Sequence, residues 1–147
     1  MTTATTMSLD EAEIRALTDE WADSVRSKDV DGVMSHYAPD VVVFGITPPL
    51  QYDGARAHRK HWETMFASFD GPVGYQMRDM ILGVAGDVAF ASSINRLSGT
   101  RNGETQGTWM RVSLGLKKID GEWKVSHEHV SVPFNPANGQ AVLELEP

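Results

Sequence analysis

Cysteine is absent from the 147 residues. Its absence excludes disulfides, thiolate nucleophiles and cysteine-held zinc or iron–sulfur centres, and it leaves the redox compartment undetermined by that test. Positive charge is scarce too: 13 Lys plus Arg stand against 20 Asp plus Glu, a formal net charge of -7. No basic stripe exists to neutralise phosphates, so nucleic acid is not an expected partner. Apolar runs such as Met80 to Gly86 are far too short to span a bilayer, and no membrane partner is expected. The Thr-rich start lacks the basic and apolar regions of a signal peptide, so a soluble, cytoplasmic protein is expected. No Gly-rich phosphate loop precedes a helix, no Ser-His-Asp order stands out, and no cofactor is expected.

What is present suits one domain, long enough to bury roughly two thirds of its unfolded surface. We divide it into a flexible N-terminus (1–8), a folded domain (9–133) and a C-terminal tail (134–147). Ser8 and Glu11 form a capping box before Ile14, Leu17, Trp21 and Val25, which recur at helical spacing up to Lys28. Asp29 or Asp31 caps a shorter helix that must stop near Ala38, because Pro39 follows. Val41 to Phe44 read as a buried strand. Gly54 opens a third helix, with His58, Trp62, Met65, Phe66 and Phe69 on one face, and Asp70-Gly71-Pro72 ends it. Strands follow at 75–84, 88–100, 104–119 and 122–132, with a tight turn at Gly86-Asp87 and hairpin dipeptides at Asn102-Gly103 and Asp120-Gly121. Helices followed by an antiparallel meander make an α+β domain.

Two-residue turns fix register. They place Leu116 opposite Val125, Leu114 opposite His127, Val112 opposite His129, Met110 opposite Ser131 and also Asn95, and Ser93 opposite Val112. One face then begins apolar at Trp123 and Val125 and turns polar at His127, His129, Ser131, Ser93 and Asn95, as expected where a sheet leaves the core and enters a cavity. The other face carries Phe90, Ile94, Trp109, Val130 and Val132 with Arg96, Arg111 and Glu128. It reads as a surface covered by a second subunit, with Arg111 and Glu128 near enough to pair. A β-bulge at Gly115 would overturn this assignment.

Lys28-Asp29-Val30-Asp31-Gly32-Val33 leads into Tyr37-Ala38-Pro39-Asp40-Val41-Val42-Val43. Pro48-Pro49-Leu50-Gln51-Tyr52, Trp109-x-Arg111, Asp120-Gly121-x-Trp123 and a closing His127-x-His129-x-Ser131-x-Pro133 follow. With these segments nearly the whole chain resembles the ketosteroid isomerase-like, SnoaL-like branch of the nuclear transport factor 2-like superfamily. The resemblance implies three N-terminal helices on a curved, mainly antiparallel sheet, a cone-shaped pocket between them, and a homodimer formed through the sheet. The superfamily hosts isomerases, dehydratases, cyclases, hydrolases and non-catalytic binders, so fold alone does not choose among them. Position by position, the oxyanion-donating tyrosine of steroid isomerases falls at Trp21 and their catalytic aspartate at Gly45, and glycine is no base.

The candidate catalytic residues are therefore His129 and His127, an acid/base pair moving a proton on a carbonyl compound. A role as hydrogen-bonded core histidines fits the same spacing. Asn95 and Ser131 are expected to hold the polarised oxygen, and Tyr52, Trp62, Trp21 and Met110 to line the pocket around a small-molecule ligand. A metal needs a third ligand from His58, His61 or Glu63, and no diagnostic spacing supplies one, so none is assigned; His58 and His61 read as a helix flank and its solvated side. Two alternatives stand beside the enzyme: a non-catalytic ligand-binding or association module, and a carbon dioxide hydratase, since the closing His-x-His-x-Ser-x-Pro is similar to that of iota-class carbonic anhydrases.

Overall fold

The computed structural model describes residues 8–147. The N-terminal segment expected to be flexible lies outside the described residues up to position 7. Helix α1 spans Leu9–Arg26 and begins as the capping box requires, with the Ser8 hydroxyl accepting from the Glu11 backbone N–H. Asp29 caps α2, Val30–Met34, through the Gly32 backbone N–H. This helix is shorter than expected: Tyr37 and Ala38 already belong to strand β1, Tyr37–Phe44, because the chain is captured there by pairing with Val125. A short β2, Tyr52–Asp53, precedes α3, Ala55–Ala67, whose buried face is His58, Trp62 and Phe66 at four-residue spacing.

Four long strands follow: β3, Asp70–Ala85; β4, Val88–Arg101; β5, Glu104–Ile119; and β6, Glu122–Ser131. Strand β3 starts five residues before the sequence expectation because Asp70 pairs with Thr100. The turn residues Asn102, Gly103, Asp120 and Gly121 all have positive φ, the conformation that two-residue primed turns demand. The sheet order is β2-β1-β6-β5-β4-β3, with β1 parallel to β6 and every other pair antiparallel. A small hairpin, β7 (Phe134–Asn135) with β8 (Gln140–Ala141), occupies the tail. The architecture is that of three helices on a curved, mainly antiparallel sheet, as the sequence implies.

One register decides the site. Leu116 pairs with Val125 as expected, but Gly115 pairs with His127, which leaves Ser126 unpaired as a bulge in β6. The extra residue inverts the faces of everything that follows. Leu114 meets Glu128 where His127 was expected, Val112 meets Val130 where His129 was expected, and Ser131 meets Arg111 in place of Met110. On β4 the pairs Asn95–Met110 and Ser93–Val112 form as anticipated. A bulge was foreseen opposite, at Gly115, where it would have turned Arg111; lying on β6, it turns the imidazoles instead.

Candidate functional site

The inversion corrects the expected catalytic face. His127, half-buried, stands on the outer side of the sheet, with Nδ1 donating to the Val42 carbonyl at 2.8 Å and its ring edge-on to Phe44 at 4.7 Å. His129 is exposed on the same side, 5.5 Å from Phe44. Ser131 lies there too, its hydroxyl accepting from Arg111 Nε at 3.1 Å. Arg111 is exposed and does not pair with Glu128, as had been expected, because Glu128 points the opposite way. Nor does His127-x-His129-x-Ser131 line the cavity between the helices and the sheet.

The cavity, about 190 Å³, lies between α1, α3 and the inner face of the sheet. Trp21, Trp62 and Met110 are on its wall, as the sequence suggested, with Val43, Leu97 and Val130 among their neighbours. An inner extension of about 20 Å³, space for about one water, passes beneath Trp21 to Asn95. Tyr52 stands outside, in a groove at the mouth, where its hydroxyl donates to the Pro48 carbonyl and accepts from His61 Nδ1 at 3.1 Å.

What enters the cavity in place of the two imidazoles is Glu128, 5% exposed. Its Oε1 accepts from the Tyr37 hydroxyl at 2.7 Å, and Tyr37 accepts in turn from Trp21 Nε1 at 3.1 Å. Burial favours the neutral carboxyl and raises it from 4.5 to about 7, against the partial relief of the Tyr37 hydrogen bond. Burial and the neighbouring carboxylate likewise hold Tyr37 well above the usual phenol range.

His58 was expected on a helix flank; the structure buries it to 2% exposure. Its Nε2 sits 3.5 Å from Glu128 Oε2 and accepts from Trp62 Nε1 at 3.0 Å. An acceptor cannot carry the proton, so neutral His58 is protonated at Nδ1, which has no partner among the described residues. Burial and His61 push it from 6.5 down to about 3. The contact with Glu128 is thus not an ion pair, since each group is held toward its neutral form. With Oε1 committed to Tyr37, Oε2 is the oxygen free to exchange a proton.

Asn95, 2% exposed, donates from Nδ2 to the Tyr75 hydroxyl at 2.8 Å, while its Oδ1 is unpartnered. Tyr75 lines the cavity, and its hydroxyl accepts from the Asn95 amide, leaving the phenolic proton uncommitted among the described residues. No cluster of three metal-ligating side chains occurs among the described residues.

Glu128 was legible through the parity of β6. Its apolar residues fall at 123 and 125 and then at 130, a change from odd to even that an inserted residue reconciles with one buried face.

Residues 14–135 match the SnoaL-like domain family. A nuclear transport factor 2-like protein of unknown function from Pseudomonas putida is 34% identical, with a TM-score of 0.86 over 94% of this chain and 96% of that one. The chain belongs to the SnoaL-like family. Two more distant structures share the SnoaL-like fold. A nuclear transport factor 2-like superfamily protein from Salmonella enterica is 21% identical, with a TM-score of 0.75 over 89% of this chain and 96% of its own. A ketosteroid isomerase-like protein from Erwinia carotovora is 19% identical, with a TM-score of 0.73 over 85% of this chain and 97% of its own. No curated protein matches the sequence. Within the SnoaL-like frame, Gly45 lies on the cavity wall without an acid, and the carboxyl comes from the adjoining strand, where Val43 pairs with Glu128.

Proposed function

We propose that the protein is a cofactor-independent enzyme that moves a proton on a small carbonyl compound, by isomerisation, dehydration or cyclisation, with Glu128 as acid and base. The observation that carries this reading is a carboxyl raised to about 7 inside an apolar cavity, with one oxygen held and the other free. Near neutral pH such a group is populated in both forms, which suits a residue that must take a proton and return it. The carboxylate accepts the proton next to the carbonyl at Oε2 and delivers it to a second atom. Tyr37 stays bonded to Oε1 throughout and fixes the carboxyl plane. The Tyr75 hydroxyl, oriented by Asn95, supplies a donor for the oxygen on which charge develops.

The test is deuterium incorporation from D2O next to the carbonyl of a panel of cyclic ketones and enones, read by NMR. Wild-type protein is expected to exchange at least one member, and Glu128→Gln to exchange none. Wild-type exchange by Glu128→Gln would overturn the assignment.

We further propose that two copies meet through the outer face of the sheet, where Phe44 and Phe90 are exposed beside Arg111 and His129. Phe90→Glu is expected to convert a dimer to a monomer in sedimentation; a wild-type monomer would remove this reading.

A further inference from the structure

The cavity does not close at its mouth. It shares Thr47, His61 and Met65 with an outer groove of about 590 Å³, so a molecule seated at Glu128 has a continuous way to the surface. The two compartments differ in chemistry. No cation lines the inner one, and it already holds a carboxyl, so an anionic group placed there is both desolvated and repelled. The outer groove has the opposite character: Lys60 and Arg101 line it together with the hydroxyls of Thr47, Thr64 and Ser68, and no carboxylate does.

Arg101 is already positioned. Ser68 Oγ accepts from its Nε at 3.1 Å and its Nη2 at 2.9 Å, and the guanidinium lies 4.0 Å over the Phe69 ring. These contacts leave the remaining guanidinium N–H groups for an incoming acceptor. Lys60 pairs with no carboxylate among the described residues, whereas the preceding Arg59 is bound by both Asp31 and Glu63. Asp31 and Glu63 are therefore engaged by Arg59, one position earlier on α3, while Glu104, opposite Arg101 in the β4–β5 register, accepts from Gln106 Nε2 at 3.4 Å and does not line the groove. In a chain of net charge -7, an acid-free groove with two cations at the entrance to an apolar cavity is a selective feature.

We infer that the natural ligand is an amphipathic anion whose apolar, reacting end fills the Trp21–Trp62 cavity and whose carboxylate or phosphate lies in the outer groove against Lys60 and Arg101. The assignment of the reacting end rests on the proposed function; the anion subsite does not. Two partly exposed, hydrogen-bonded ion pairs amount to a preference of about tenfold over a neutral analogue, and one that salt weakens.

The experiment titrates the full-length protein with 4-phenylbutyrate, 4-phenylbutyl phosphate and 4-phenylbutan-1-ol, followed by quenching of tryptophan fluorescence at low and high ionic strength. At low salt at least one anion is expected to bind about tenfold more tightly than the alcohol, with the margin shrinking at high salt. Lys60→Gln/Arg101→Gln is expected to abolish the margin and leave the affinity for the alcohol unchanged. Glu128→Gln is expected to keep it, so a failed catalytic assignment and a failed anion subsite give different results. Equal binding of the alcohol and both anions, equal weakening of all three in the double variant, or no binding of any probe overturns the inference.

Discussion

The Tyr37 hydroxyl donates to Glu128 Oε1 at 2.7 Å across the parallel pair β1–β6, joining residues 91 positions apart. This bond is what opposes burial in setting the acidity of Glu128. Tyr37→Phe removes it, so the carboxyl is expected to titrate still higher than about 7. The midpoint at which the carboxyl ionises, followed by its infrared band, is expected to move to higher pH. Stability is expected to fall by about 1–3 kcal/mol, because Trp21 Nε1 loses its acceptor as well. An unchanged midpoint would detach Tyr37 from the acid.

Glu128 and His58 are shifted in opposite directions, with opposite consequences for stability. Glu128 is raised from 4.5 to about 7, so between those values the folded protein keeps a proton that the unfolded chain has released. Its contribution to stability falls as pH rises through that window. His58 is lowered from 6.5 to about 3, so in that interval the unfolded chain binds a proton that the folded one refuses. Its contribution grows as pH rises and is lost on acidification. Each slope is about 1.4 kcal/mol per pH unit, so the two cancel between pH 4.5 and 6.5. Relative to wild type, Glu128→Gln is expected to gain stability with rising pH across that window, and His58→Phe to lose it. Urea midpoints measured across the range check both signs.

The two imidazoles that dominate the sequence of β6 serve the outer face. His129→Ala is expected to leave proton exchange within about twofold of wild type and stability within about 0.5 kcal/mol, as for an exposed position. His127→Ala is expected to cost about 1 kcal/mol through its lost bond to the Val42 carbonyl, again with exchange retained. Loss of exchange in either variant would return the chemistry to the residues that the strand pattern first suggests.

Ser126 has no partner across the ladder, and the residues on either side of it already alternate correctly once it is ignored. Deleting it is expected to leave Val125 and Glu128 facing inward in an unbroken register. The domain would fold with a flatter strand, at a cost of about 1–2 kcal/mol. Inserting a residue between Ser126 and His127 keeps Glu128 on the inner face, four positions after Val125, but is expected to carry it along β5 from Leu114 to Val112, away from the Tyr37 hydroxyl, and to abolish exchange. Circular dichroism with the exchange assay separates the two.

Local chemistry made most of the fold readable. Ser8 and Asp29 cap where a side-chain acceptor must sit, and Asn102-Gly103 and Asp120-Gly121 turn where positive φ is cheapest. Trp21, Trp62, Met110 and Asn95 reach the cavity region because helix and strand periodicity places them there. The inward-facing carboxyl of Glu128 was less accessible, since a register counted from a turn is exact only as far as the first bulge. His58 was misjudged for a different reason. Polar side chains on helices are ordinarily solvated, and only the tertiary partners Trp62 and Glu128 make its burial tolerable.

Strand β6, the last of the long strands in the chain, lies between β1 and β5 in the sheet. A growing polypeptide therefore makes Val41 and Val43 long before it makes the strand that shelters them, and the Tyr37 hydroxyl waits 91 residues for its acceptor. Closure of the sheet and assembly of the acid site are one late, long-range event. An incompletely synthesised chain displays β1 with one edge open, paired only with β2, and lacks the buried carboxyl, so the Glu128 site exists only once the entire sheet is in place.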